Sequence, residues 1–175
     1  KQTVVLTSVQ MAVLTTDQLI GLSTKQAAAL TSGQVNAIDA DDLALMETED
    51  FAVLSTAVIK NLTTEHIVAL TTEQLASLST KQTVVLTTTQ VAALTTDQAL
   101  NLTTTTLKAL TTKQIAVLET SDLEQLTSSN IAILSSVQLQ ALTTSQVAGL
   151  SSQQVFEMNT STLQALTTRQ IAALE

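Results

Sequence analysis

Six carboxylates fall within twelve consecutive positions: Asp39, Asp41, Asp42, Glu47, Glu49 and Asp50. Hard cations such as Ca²⁺ take six to eight oxygen ligands, so two stacked turns carrying these side chains could form a calcium site. The spacing is not that of an EF-hand loop, because Ala44 stands where the loop needs glycine and Leu43 where it needs its fifth ligand. The opposing reading places the acids in the first turns of helices, solvated and favoured by the helix dipole. No other metal or cofactor is suggested.

His66 is the chain's one histidine, and there is no cysteine. Without a second imidazole, a thiolate or an adjacent serine nucleophile it makes neither a metal site nor a triad. Asn61-Leu62-Thr63, Asn101-Leu102-Thr103 and Asn159-Thr160-Ser161 match the N-glycosylation pattern, as a threonine-rich chain does by chance. No glycine loop to cradle phosphate, no carboxylate pair in a cleft and no basic aromatic patch is present. The net charge of −8 opposes nucleic-acid binding, which rests on Lys and Arg neutralising phosphates. No apolar run approaches the roughly 20 residues of a membrane span, and no secretory leader is visible. The expectation is a protein without enzymatic activity.

The elements that must position these residues follow from one period. From Leu6 to Leu174 an aliphatic residue returns every eighth position, 22 times: always Leu except at Ile38, Met46 and Met158. Numbering each unit so that this residue is position 8, position 1 is Thr or Ser in 17 of 22 units and position 4 is Gln in 14. Position 5 is usually Ile, Val or Leu, and position 7 is mostly small. Thr followed three residues later by Gln is the capping-box pattern, in which hydroxyl and amide each serve a backbone N–H at a helix start. The replacements Asp39 and Asn159 at position 1 are also good N-caps; Glu47, Glu119 and Glu175 are poorer ones. In this reading capping accounts for the glutamine column fully, although stacked amides could also form a ladder or bind a glycan. At position 4, His66 can reproduce the Gln hydrogen bond, and Val58 and Thr106 mark irregular repeats or bends.

Each octad therefore reads as one helix over positions 2 to 8 with a tight break at position 1. Angles around the helix axis support this. Taking position 5 as the origin, position 8 lies at about 300° and position 3 at about 160°, opposite the apolar stripe. Position 3 carries 11 of the 22 charged residues. One continuous helix fails, because eight residues advance about 80° beyond two full turns and the leucines would spiral around the rod. A β-solenoid is the alternative, since Thr, Val and Ile favour strands. The apolar spacing of three and the scarcity of Gly, Asn and Asp for corners count against it. The expected fold is an all-α superhelical solenoid of short capped helices, one per eight-residue repeat. Helices this short are unstable alone, so the leucine row, at about 1.5–3 kcal/mol per buried side chain, should supply the cohesion. Small residues at position 7 should let layers approach closely.

No linker or composition shift divides residues 1–175, which read as a single array. Lys1 and Glu175 both fall mid-unit and no polar capping repeat is evident, so the array reads as a fragment or one copy of something longer. Residues 1–18 match residues 81–98 at 14 positions, and the pair Asp39/Asp42 recurs as Glu119/Asp122, as duplication of ten octads would produce.

The unit Leu-Thr-Thr-x-Gln-Val/Ile-x-Ala-Leu, clearest from Leu70 to Leu118 and from Leu142 to Leu150, resembles octapeptide arrays in very large bacterial surface proteins of adhesin or haemagglutinin-like type. That resemblance covers the whole chain, departs from the pattern around 39–66 and 119–134, and carries no catalytic motif. It implies an extracellular or cell-surface location and a structural role as a spacer, stalk or fibre segment. The alternative function is a binding or self-assembly module that uses the superhelix surface for a peptide, a glycan or another copy, including end-to-end filaments.

Overall fold

The structure is a computed structural model that describes residues 6–174; Lys1 and Glu175 lie outside them. Those residues form 21 short helices and no strand, so the β-solenoid is set aside. The chain divides at an octad boundary into two compact units, Lys1–Leu94 and Thr95–Glu175. The first contains α1 (Ser8–Met11), α2 (Thr16–Ile20), α3 (Thr24–Ala27), α4 (Ser32–Val35), α5 (Ala40–Ala44) and α6 (Thr48–Ala52). It continues with α7 (Thr56–Asn61), α8 (Thr64–Ala69), α9 (Thr72–Ala76), α10 (Thr80–Val85) and α11 (Thr88–Ala92). The second contains α12 (Thr96–Leu100), α13 (Thr104–Ala109), α14 (Thr112–Ile115), α15 (Thr120–Gln125) and α16 (Ser128–Ala132). It ends with α17 (Ser136–Ala141), α18 (Thr144–Ala148), α19 (Ser152–Phe156), α20 (Thr160–Ala165) and α21 (Thr168–Ile171).

The helices start where the caps place them, with position 1 extended and outside the helix, but they end earlier than position 8. Leu70 (φ −55°, ψ 141°) and Thr71 (φ −72°, ψ 158°) are successive extended residues between α8 and α9. The last turn tightens first: the N–H of Leu78 donates to the carbonyl of Leu75, that of Leu54 to Phe51 and that of Leu94 to Val91. These are the short-range bonds that close a helix end. Two extended residues turn the chain toward the next helix without a left-handed residue. No described residue has positive φ, which explains how an array of so many corners needs only three glycines.

Stacking follows a fixed rule inside each unit. In the first, α1 packs on α4, α3 on α6, α4 on α7, α5 on α8, α6 on α9, α7 on α10 and α8 on α11. In the second, α12 packs on α15, α14 on α17, α15 on α18, α16 on α19, α17 on α20 and α18 on α21. In every one of these pairs a helix rests on the third helix before it, which is the winding of a solenoid. Position 5 forms the innermost row, with Leu43, Phe51, Ile59, Ile67, Leu107, Ile115, Leu123 and Ile131 fully enclosed. The position-8 leucines form a second row just outside it, so cohesion is shared between two rows rather than carried by the leucines alone. Leu14 and Leu22, which have described turns on one side only, are half-buried, whereas Leu30 is buried. The ten described charged residues at position 3, from Asp17 to Arg169, are all exposed.

Close approach of layers is clearest at Gly149, position 7 beyond α18. A Cβ built there would lie inside the van der Waals envelope of the Thr120 methyl group on α15. Val58 and Thr106 occupy ordinary six-residue helices, α7 and α13, so the expected irregularity does not appear at the level of helix formation.

Candidate functional site

The polar centre of every octad but that of Val58 is the position-4 side chain. In α9, the Thr71 hydroxyl accepts from the Gln74 N–H at 3.1 Å and the Thr71 N–H donates to Gln74 Oε1 at 3.1 Å. Every described position-4 glutamine closes such a capping box. Capping uses only the oxygen of the amide. The nitrogen of Gln74 points inward and donates to the carbonyls of Met46 at 2.9 Å and Leu43 at 3.1 Å, at the C-terminal end of α5.

The same pair of bonds recurs at the same sequence offsets. Gln90 donates to Leu62 and Ile59, Gln138 to Leu110 and Leu107, Gln146 to Leu118 and Ile115, Gln154 to Leu126 and Leu123, and Gln170 to Leu142 and Leu139. Gln82 reaches Leu54 and Ala52, and Gln34 reaches Leu6. The position-8 carbonyl belongs to an extended residue past the end of its own helix, so a side chain from the next turn supplies its donor. A buried acceptor left without one would cost about 1–3 kcal/mol. One amide thus starts its own helix and closes the end of the helix four octads earlier. With packing at three octads and this latch at four, one turn of each solenoid holds between three and four octads. Gln10 and Gln18, in the first turn, make the cap bond and stay exposed, while Gln74 is 1% exposed.

Capping therefore explains half of the glutamine column. The missed half left a sequence signal: a capping box accepts Glu as readily as Gln, yet no octad has Glu at position 4. Glutamate would cap but could not donate. His66 passes the same test, because imidazole, like a primary amide, offers an acceptor and a donor. Its Nδ1 faces the Thr63 N–H at 3.3 Å and its Nε2 lies 3.0 Å from the Ile38 carbonyl, which requires the tautomer protonated at Nε2. Val58, Asn130, Thr106 and Thr162 lack that reach, and the latch is missing from their octads. Thr106 and Thr162 bond locally, to Thr103 and Asn159 respectively.

The acidic segment takes a different route. Among the described residues, no group of three or more His, Cys, Asp or Glu is placed to hold a metal ion. Asp39, Asp41, Glu47 and Glu49 are exposed, Asp42 is half-buried and Asp50 is buried. Asp39 caps α5 by accepting from the Asp41 N–H, whereas Glu47 and Glu119 make no side-chain cap bond. Asp42 accepts from the Thr16 hydroxyl at 2.8 Å, and ten octads later Asp122 accepts from Thr96 at 2.9 Å. At these two sites a carboxylate too short to cap and unable to donate to a carbonyl receives a hydrogen bond from an earlier turn: the latch with its polarity reversed. The second member of the recurring acid pair is thereby a structural motif, copied with its threonine.

Elsewhere, Asn61 and Asn101 of the sequon triplets donate to Ala57 and Asp97 within their own helices, and Asn159 is an N-cap. The exposed Glu73 carboxyl is held below the usual glutamate range by hydrogen bonds from its own backbone N–H and from the Thr71 and Thr72 hydroxyls. No described helix is long and apolar enough to cross a membrane.

No curated protein matches this chain. Residues 43–80 and 115–152 match the ALTTAQ repeat family; both stretches run through the octads just described, and the chain is an octapeptide-type helical repeat array over them.

Proposed function

We propose that this chain is a non-enzymatic structural repeat region, a spacer, stalk or fibre-forming segment of a bacterial surface or extracellular protein. One observation carries the reading: the position-4 amide is occupied, turn after turn, by a bond to another octad at a constant offset of 28 residues, as in Gln74–Met46 and Gln170–Leu142. Such a bond makes the stack extensible, because each added octad brings its own cap, its own latch and its own apolar pair. Stability then grows as a sum of neighbouring units, and length scales with copy number while no new chemistry is added. The likeness of the octad to arrays in large bacterial surface proteins supports the location. Small-angle scattering of chains carrying ten additional octads tests the role. A maximum dimension that rises in proportion to octad number fits a spacer; an unchanged dimension, or substrate turnover by the purified array, overturns it.

A further inference from the structure

The groove between α5 and α8 has the makings of a docking site that the spacer reading does not use. The groove is lined by Ala40, Asp41, Thr64, Glu65, Val68 and Ala69 and is wide open to solvent, around a volume of about 420 Å³. Val68 is 49% exposed at its edge, an aliphatic surface beside two carboxylates. Asp41 and Glu65 both occupy position 3, three octads apart, so the stacking of α5 on α8 brings them to one opening. Neither helix carries Lys or Arg, and nor does α11, which packs beside α8. The carboxylates therefore have no cation on these elements, and the first unit as a whole is acidic. Calcium is a poor fit, since two carboxylates beside alanine and valine fall short of six to eight oxygens.

We propose that this groove binds a lysine side chain of a partner polypeptide, with the aliphatic stem over Val68 and Ala69 and the ammonium between Asp41 and Glu65. Lysine suits it because its stem packs on apolar surface while its head stays hydrated at the rim. The test uses the whole isotope-labelled chain, titrated in low salt with the tripeptide acetyl-Val-Lys-Val-amide and, separately, with methylammonium, which has the charge but no stem. Saturable amide shifts confined to residues 40–41 and 64–69, given by the tripeptide and not by methylammonium, are the expected result. Asp41→Asn and Glu65→Gln, both at exposed positions, should each weaken binding about two- to five-fold, as exposed ion pairs do. Val68→Ser should weaken it without altering the salt dependence. Absence of saturable shifts, equal shifts around Glu49 and Glu73, or equal binding of methylammonium would each overturn the assignment.

Discussion

Replacing Gln74 by glutamate separates the two tasks of the position-4 amide with one isosteric change. Gln74→Glu keeps an oxygen 3.1 Å from the Thr71 N–H, so the cap survives. It removes the nitrogen that donates to Met46 at 2.9 Å and Leu43 at 3.1 Å. The Leu43 carbonyl still accepts from the Met46 N–H, so the larger loss falls on the Met46 carbonyl, left buried without that donor at about 1–3 kcal/mol. A carboxylate oxygen now faces the carbonyl oxygens of Leu43, Ala44 and Met46 at a site 1% exposed. Adding its desolvation, the expected cost is about 3–5 kcal/mol at neutral pH. Gln18→Glu is the control: Gln18 caps α2 from an exposed position, and an acid in the first turn is neutral or mildly favourable. Burial and carbonyl neighbours raise the folded-state pKa of the carboxyl introduced by Gln74→Glu, since both disfavour the charged form. The penalty is therefore full above that folded value and shrinks as pH falls toward the unfolded value of about 4.3. Urea denaturation of both variants from pH 8 to pH 4, with hydrogen exchange over residues 40–46, measures this. Equal costs for the two variants, or a Gln74→Glu cost below about 0.5 kcal/mol, the low end for a lost hydrogen bond, would refute the latch.

His66→Gln should leave stability within about 0.5 kcal/mol, because the amide restores both bonds, whereas His66→Leu should cost about 2–4 kcal/mol by thermal denaturation, having orphaned the Ile38 carbonyl and the Thr63 N–H. Thr96→Val removes the 2.9 Å hydrogen bond to Asp122, whose side chain is 3% exposed; a loss of about 1.5–3 kcal/mol is expected in denaturant titration. Gly149→Ala should destabilise by about 1–3 kcal/mol through overpacking against Thr120, and adding Thr120→Ser, which removes the methyl group, should restore most of it.

Helix type, helix starts and the exposed face were legible because they depend on interactions within one octad. A hydroxyl at position 1 reaches a backbone N–H three residues on whatever surrounds it, and a charge opposite an apolar stripe finds water in any packing. Helix ends were not legible. The angular pattern allows position 8 to continue the helix, and only the need to turn toward the next octad makes Leu70 extended. The acidic segment shows the same divide: nothing local indicates that Asp42 and Asp122 accept hydrogen bonds from Thr16 and Thr96, which lie 26 residues earlier.

The period of eight, with its caps and its pair of apolar positions, determined without coordinates that the chain is an array of small helices, since those signals are local. Tertiary structure alone decided the winding, and with it the second use of each glutamine. A stack of three to four octads per turn carries the Leu carbonyl of one helix beneath the amide of another that follows a full turn later, and no local rule specifies that separation. The lack of glutamate at position 4 was in plain view, but it gains meaning only once a buried carbonyl is found waiting for a proton donor.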